Sequence, residues 1–160
     1  MRLVTFDEIQ KNINSYARII ALDISASSIG VAMGSMSLKL VTPLKTIKRA
    51  SLKADAAALN SILKDYPADL GLIGYPLNMD GTEGARCQSV KDTVVELMKH
   101  LPDIPILFWD ERLSTVTGDK MVDEYREKLG TFRNKSGKKA GAPKDHMAAK
   151  AILDGFFDNC

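Results

Sequence analysis

Arg18–Ser35 reads RIIALDISASSIGVAMGS, two short apolar runs rich in strand-forming residues and separated by a cluster of serines. Leu38–Ile47 follows with LKLVTPLKTI and repeats the pattern. Ser25–Ser28 suits a turn between the first two runs, and Gly34-Ser35 suits a tight turn between the second and third. Three strands in antiparallel succession are therefore expected.

Working outward from this hairpin pair, the period changes after Ser51. Leu59, Ile62, Leu63 and Tyr66 share one face of a helix that stops at Pro67. LGLIGYPL (Leu70–Leu77) then reads as a strand, and Val90, Val94, Leu97, Met98 and Leu101 fall in helical phase. Ile104–Trp109 is a further strand. Ser114 or Thr115 can cap a helix carrying Val122, Tyr125 and Leu129, and Pro143 can open a last one with Ala149, Ile152, Leu153 and Phe156. Ahead of everything, Thr5-Phe-Asp-Glu8 has the form of a capping box, followed by Ile9, Ile13 and Tyr16 at helical spacing.

The order β-β-β-α-β-α-β-α-α implies an α/β fold: a mixed five-stranded sheet, three antiparallel strands then two parallel ones, with helices on both faces. Residues 1–17 are expected to form an N-terminal helical extension and residues 18–160 the main domain. In such a sheet the first, fourth and fifth strands run parallel, and ligand sites collect at their carboxyl ends. Those ends carry Asp23, the segment Gly74–Gly84 and Asp110-Glu111-Arg112.

Composition narrows the class. The chain has 160 residues, 45% hydrophobic and 26% charged, with a formal net charge of +2. That balance is globular, and no run approaches the ~20 apolar residues needed to span a bilayer. With no basic-then-apolar leader at the N-terminus, a cytoplasmic location is expected. The two cysteines, Cys87 and Cys160, are too few and too distant for a disulfide framework or a thiolate zinc site, and Cys87 lies in phase with the core positions of its helix. There is neither a P-loop nor a Gly-x-Gly-x-x-Gly unit. The positive charge is concentrated in TFRNKSGKKAGAPK (Thr131–Lys144), which has five cations, Arg133, Lys135, Lys138, Lys139 and Lys144, and no acid.

Asp23 follows the apolar run Ile19–Leu22, where a carboxylate is costly unless it is paired, capped or bound to a metal. Strand alternation allows one of Asp110 and Glu111 to face a shared site, and Glu111 has the longer reach. Asp145 falls in the first turn of the last helix, beside His146. Three acids brought together repel one another, and a hard divalent cation such as Mg²⁺ or Mn²⁺ relieves that repulsion with oxygen ligands. Beside a basic loop, such a cluster suits phosphodiester hydrolysis.

LDISASSIGVA (Leu22–Ala32), GYPLNMDGTEG (Gly74–Gly84), DERLST (Asp110–Thr115) and KDHMAAKAIL (Lys144–Leu153) resemble, in order and spacing, the motifs of the YqgF/RuvX family over about residues 18–158. The resemblance implies a ribonuclease H-like fold and a metal-dependent endonuclease of structured nucleic acid, most of all one that processes the 5′ end of precursor 16S rRNA. Its alternatives are a Holliday junction resolvase or a non-cleaving nucleic-acid binding factor. It further implies that Asp23, Glu111 (with Asp110 as its alternative) and Asp145 are catalytic metal ligands for Mg²⁺ or Mn²⁺. Asn78, Asp80 and Thr82 fall in the family's substrate-side loop. Arg112, Arg133, Lys138 and Lys139 complete the expected nucleic-acid contacts. The partner would be precursor rRNA or a four-way DNA junction, and the protein a monomer or homodimer away from membranes. The family pattern has glycine and a basic residue where this chain has Ser25 and Ser27.

Overall fold

A computed structural model describes residues 2–113 and 144–160, with backbone alone for residues 113, 144 and 145. The expected helix at Val122–Leu129 and the basic loop lie outside these residues. Six strands form one sheet: β1 (Arg2–Leu3), β2 (Arg18–Ile24), β3 (Ser28–Ser35), β4 (Leu40–Lys48), β5 (Leu70–Tyr75) and β6 (Pro105–Asp110). Their order is β1-β6-β5-β2-β3-β4. β2, β3 and β4 are antiparallel, whereas β5 runs parallel to both β2 and β6. The mixed sheet and its direction changes agree with the sequence reading.

Two details differ. The sheet has six strands rather than five, because Arg2 and Leu3 pair in parallel with Pro105 and Ile106. Two residues are too short to leave a periodic signature. The turn between β3 and β4 also lies after Gly34-Ser35, not on it, and its left-handed residue is Lys39 at φ 49°. Gly34 is a strand residue paired with Ile19 and Val41. It is small for packing reasons: a Cβ there would sit 2.8 Å from the ring of Phe157.

β4 is an edge strand, which is why it can hold Pro43: the missing N–H is tolerated where no further strand needs it. The register slips between Val31 and Ala32, leaving Leu44 outside the pairing of β3 with β4.

Helices cover both faces. α1 (Phe6–Lys11) starts at the expected capping box, with the Thr5 hydroxyl accepting from the Glu8 amide and the Glu8 carboxylate accepting from the Thr5 amide. α2 (Leu52–Asp65) is capped by Ser51. α3 (Ala85–Met98) follows β5, and α4 (Lys144–Asp158) ends the chain. Period-2 alternation divides the strand residues between two cores. Ile20, Leu22, Ile73 and Ile106 face α2 and α3, with Leu59, Val90 and Leu97. Ile19, Ala21, Leu72, Leu107 and Trp109 face α1 and α4, with Ile9, Ile152 and Phe156. Trp109 packs against Phe6 at a tilt and against Phe156 edge-on, at 5.6 and 5.4 Å between centroids, so the N-terminal segment shares the second core. Cys87 is buried, as its phase predicts, and its thiol donates to the Pro76 carbonyl. Among the described residues no helix is long and apolar enough to cross a membrane.

Candidate active site

Asp23 is the penultimate residue of β2 and has the same parity as Ile19 and Ala21, so it points to the α4 side of the sheet. β6 ends at Asp110, and a 3₁₀ turn over Glu111–Leu113 takes up the chain at once. Glu111 keeps the parity of Leu107 and Trp109 and lies on that same side. Between β2 and β6 runs β5, whose residue at this height is Gly74, opposite Trp109. The absent side chain leaves a gap that Glu111 fills: a Cβ on Gly74 would sit 2.5 Å from Glu111 Oε1 and 2.6 Å from the δ-methyl of Ile152.

Through that gap the Glu111 carboxyl reaches Asp23 and hydrogen-bonds to it. Burial, then the charge of Asp23, pushes the Glu111 pKa up to about 7, with Arg86 acting weakly in the opposite direction. Both influences favour the neutral form of Glu111 beside Asp23. Asp110 behaves differently. Arg112 folds back on it, with Nη2 2.6 Å from Oδ2 and Nε 3.0 Å from Oδ1, and holds its carboxyl below the usual range. Of the two adjacent acids, Glu111 is the one placed against Asp23.

The same row of the sheet extends the other way. Asp23 pairs with Gly30, and Gly30 with Thr46. The Thr46 hydroxyl lies 3.0 Å from His146 Nδ1, which pins the first turn of α4 over this row. Asp145 is the second residue of α4, in the turn that the Thr46–His146 contact holds. Among the described residues no three His, Cys, Asp or Glu side chains form a metal-holding group. The pair itself offers oxygen donors alone, a set that suits Mg²⁺ or Mn²⁺ better than softer metals.

The turn after Asp23 is built by serine. Ser25 Oγ accepts from the Ser28 amide at 3.1 Å, and the Ser25 amide donates to the Ser28 carbonyl. Arg49 reaches the turn from beyond β4, donating to the Ser25 carbonyl at 3.1 Å while it pairs with the buried Asp55.

Asn78, Asp80 and Thr82 bond to one another. Thr82 gives its amide and hydroxyl to Asp80 Oδ1 at 2.9 and 2.6 Å, and Asn78 Nδ2 donates to Thr82 Oγ1 at 3.0 Å. Gly81 turns the loop at φ +85° against the Arg112 guanidinium, which also donates to the Met79 carbonyl. Arg112 thus ties the loop to the end of β6. Between the loop and the start of α3 is a cavity of about 300 Å³ lined by Leu77, Met79, Ala85, Arg86, Glu111 and Arg112. Neither Gly74 nor Arg86 stands out in the sequence. A cation in the first turn of a helix, on the unfavourable side of the helix dipole, is the one signal that points to Arg86. Arg133, Lys138 and Lys139 lie outside the described residues.

A mixed sheet of this order, with carboxylates at the carboxyl ends of β2 and β6 on either side of β5, is the ribonuclease H-like arrangement. Solved structures agree on the fold. Thermus thermophilus RuvC in complex with a Holliday junction substrate superposes with a TM-score of 0.53 at 11% identity, over 87% of this chain and 93% of that one. The fowlpox virus Holliday junction resolvase gives 0.52 at 8% identity, over 89% and 99%. A sequence model of the RuvX family, described as Holliday junction resolvase, matches residues 17–159. The chain belongs to the RuvX family. Relatives named "Putative pre-16S rRNA nuclease" include one from Rhizobium meliloti, 34% identical over 99% of this chain and 90% of the relative. Another, from Roseobacter denitrificans, is 39% identical over 90% and 84%.

Proposed function

We propose that this protein is a divalent-metal-dependent endonuclease that hydrolyses phosphodiester bonds in structured RNA, with the 5′ end of precursor 16S rRNA as its substrate. The observation that carries the reading is the hydrogen-bonded Asp23–Glu111 pair at the carboxyl edge of the parallel strands. Two carboxylates forced together are a standing cost unless a cation or a reaction uses them. The names of the relatives and the nucleic-acid complexes of the structural neighbours support the substrate class.

In this reading Asp23 and Glu111 would hold Mg²⁺ or Mn²⁺ together with Asp145, whose place in the family motif and at the start of α4 supports its role. The chemistry the cation supplies is Lewis acidity toward the phosphate and a more acidic attacking water. Gly74 keeps the space through which the Glu111 carboxyl reaches Asp23. Thr46 and His146 fix the turn of α4 that carries Asp145. Arg112 pairs with Asp110, and the charge of that neighbouring acid is the least of the influences that raise Glu111. Water oxygen bonds to phosphorus as the bond to one ester oxygen breaks, and the chain's task is to hold the phosphate against these acids.

The test is cleavage of a labelled precursor 16S 5′ leader by wild type, Asp23→Asn and Glu111→Gln, with Mg²⁺, Mn²⁺ or chelator, beside a four-way DNA junction. Metal-dependent RNA cutting that both variants lose is the expected result. Cutting of the junction alone would replace RNA by DNA and imply a two-fold dimer. Binding without cutting of either substrate would make the protein a binding factor.

A further inference from the structure

We infer that the cavity between the Pro76–Gly84 loop and the first turn of α3 is a subsite for one unpaired nucleotide next to the scissile phosphate, with Arg86 on its phosphate and Met79 against its base. The inference rests on the nuclease reading above and adds to it a place where the flanking nucleotide is held.

Met79 is 94% exposed, which is unusual for a large apolar side chain and costly unless something covers it. It is not on a slack loop. The Asn78 amide donates to the Thr82 carbonyl and the Gly81 amide to the Asn78 carbonyl, both at 2.9 Å. Arg112 grips the Met79 carbonyl while paired with Asp110, and Glu83 is tied to Lys91 at 2.8 Å on the far side. The polar residues of the loop spend their groups on its own shape, and what the loop projects is the thioether. A soft, unbranched side chain adapts to any flat base.

The two arginines of the cavity are not equivalent. Arg112 has its charge met by Asp110. Arg86 is exposed and, among the described residues, makes no hydrogen bond or ion pair, although it lies near enough to Glu111 to act on its charge. Its place in the first turn of α3 works against the helix dipole, so the charge does not serve the helix. The Arg86 guanidinium, the exposed Met79 side chain and Glu111 line a single space of about 300 Å³, the lower end of the range of ligand pockets. A phosphate, a base and the scissile bond would meet those three in turn. A base within a duplex cannot reach Met79 without unstacking, so the subsite selects a strand that is already open.

The test uses full-length protein and an unpaired RNA oligonucleotide spanning the cut. Affinity is read by anisotropy, and KM and kcat by cleavage. Arg86→Ala should weaken binding about tenfold at low salt and lower the slope of log K against log salt by about 0.7, with Arg86→Lys keeping the slope. Met79→Ala should cost roughly three- to tenfold and Met79→Leu little, the loss falling on KM rather than kcat. Two modified oligonucleotide series then pair each side chain with its group. An abasic nucleotide beside the cut should weaken wild type but not Met79→Ala, and a methylphosphonate there should weaken wild type but not Arg86→Ala. If wild type binds and cuts while variants and modified RNAs behave alike, the subsite is overturned and the nuclease reading stands. A response in only one series overturns the paired assignment. If wild type neither binds nor cuts RNA, the nuclease reading fails and takes the subsite with it.

Discussion

The Glu111 carboxylate occupies the volume that a side chain on Gly74 would need: a Cβ there would sit 2.5 Å from Glu111 Oε1. Both atoms it would meet, Glu111 Oε1 and Ile152 Cδ1, are ends of flexible side chains rather than backbone. Gly74→Ala should therefore fold, at a cost of ~1–2 kcal/mol for the displaced methyl. It should lower cleavage by about two orders of magnitude, because a shift of roughly 1 Å in a catalytic group has that effect. Denaturant midpoints measured beside kcat separate the two. Equal activity at equal stability would show that Glu111 has no need of the gap.

Glu111 also sets a pH dependence for metal-free protein. Its pKa is about 7 in the folded chain, against an ordinary 4.5. Between these values the unfolded chain has already released a proton that the folded chain still holds. Stability from this group is complete below about pH 4.5 and lost as pH rises through 7. In chelator the melting temperature should fall across that window, and Glu111→Gln should flatten the fall. Adding Mn²⁺ or Mg²⁺ above pH 7 should raise the melting temperature of wild type by mass action and leave the Gln variant nearly unmoved. Thermal scans at several pH values check both.

The row Thr46–Gly30–Asp23 joins the start of α4 to the acid pair through the Thr46–His146 contact. Thr46→Val keeps the shape of the side chain and removes its hydroxyl. The expected cost in stability is ~1 kcal/mol. A kcat reduced by more than that loss of folded protein can explain would show that the contact positions Asp145. A kcat in line with stability would leave it a plain tether.

Asp23 and Glu111 can be picked out as candidates without coordinates, and the reason is physical. Asp23 stands one residue before the end of β2 and Glu111 one residue after the end of β6, and a carboxylate beside a buried apolar strand demands a reason. The choice of Glu111 over Asp110 follows from alternation and reach. What pattern does not carry is register. Gly74 matters because it stands between those acids, and that depends on β5 separating β2 from β6. Gly34 looks like a turn residue but is a flat spot for Phe157, since a small residue means different things in a turn and under a ring. Asn78, Asp80 and Thr82 are placed on the substrate side by family resemblance alone, and pattern does not show that they bond one another and leave Met79 exposed beside them.

The N-terminal segment offers the last test. Ile9 is fully buried, α1 is capped at Thr5, and Phe6 packs on Trp109, two residues before Glu111. If residues 1–17 were a dispensable extension, Ile9→Ala would be almost silent. In the second core it leaves a cavity beside Trp109 and Phe156, and large-to-small changes of this kind cost ~2–5 kcal/mol. A domain of this size has ~5–15 kcal/mol in total, so the variant should melt well below wild type in a single transition. Two separated transitions, or no change, would make the segment an independent appendage. A single lowered one would make it part of the domain that holds β6, and through β6 the end from which Glu111 reaches Asp23.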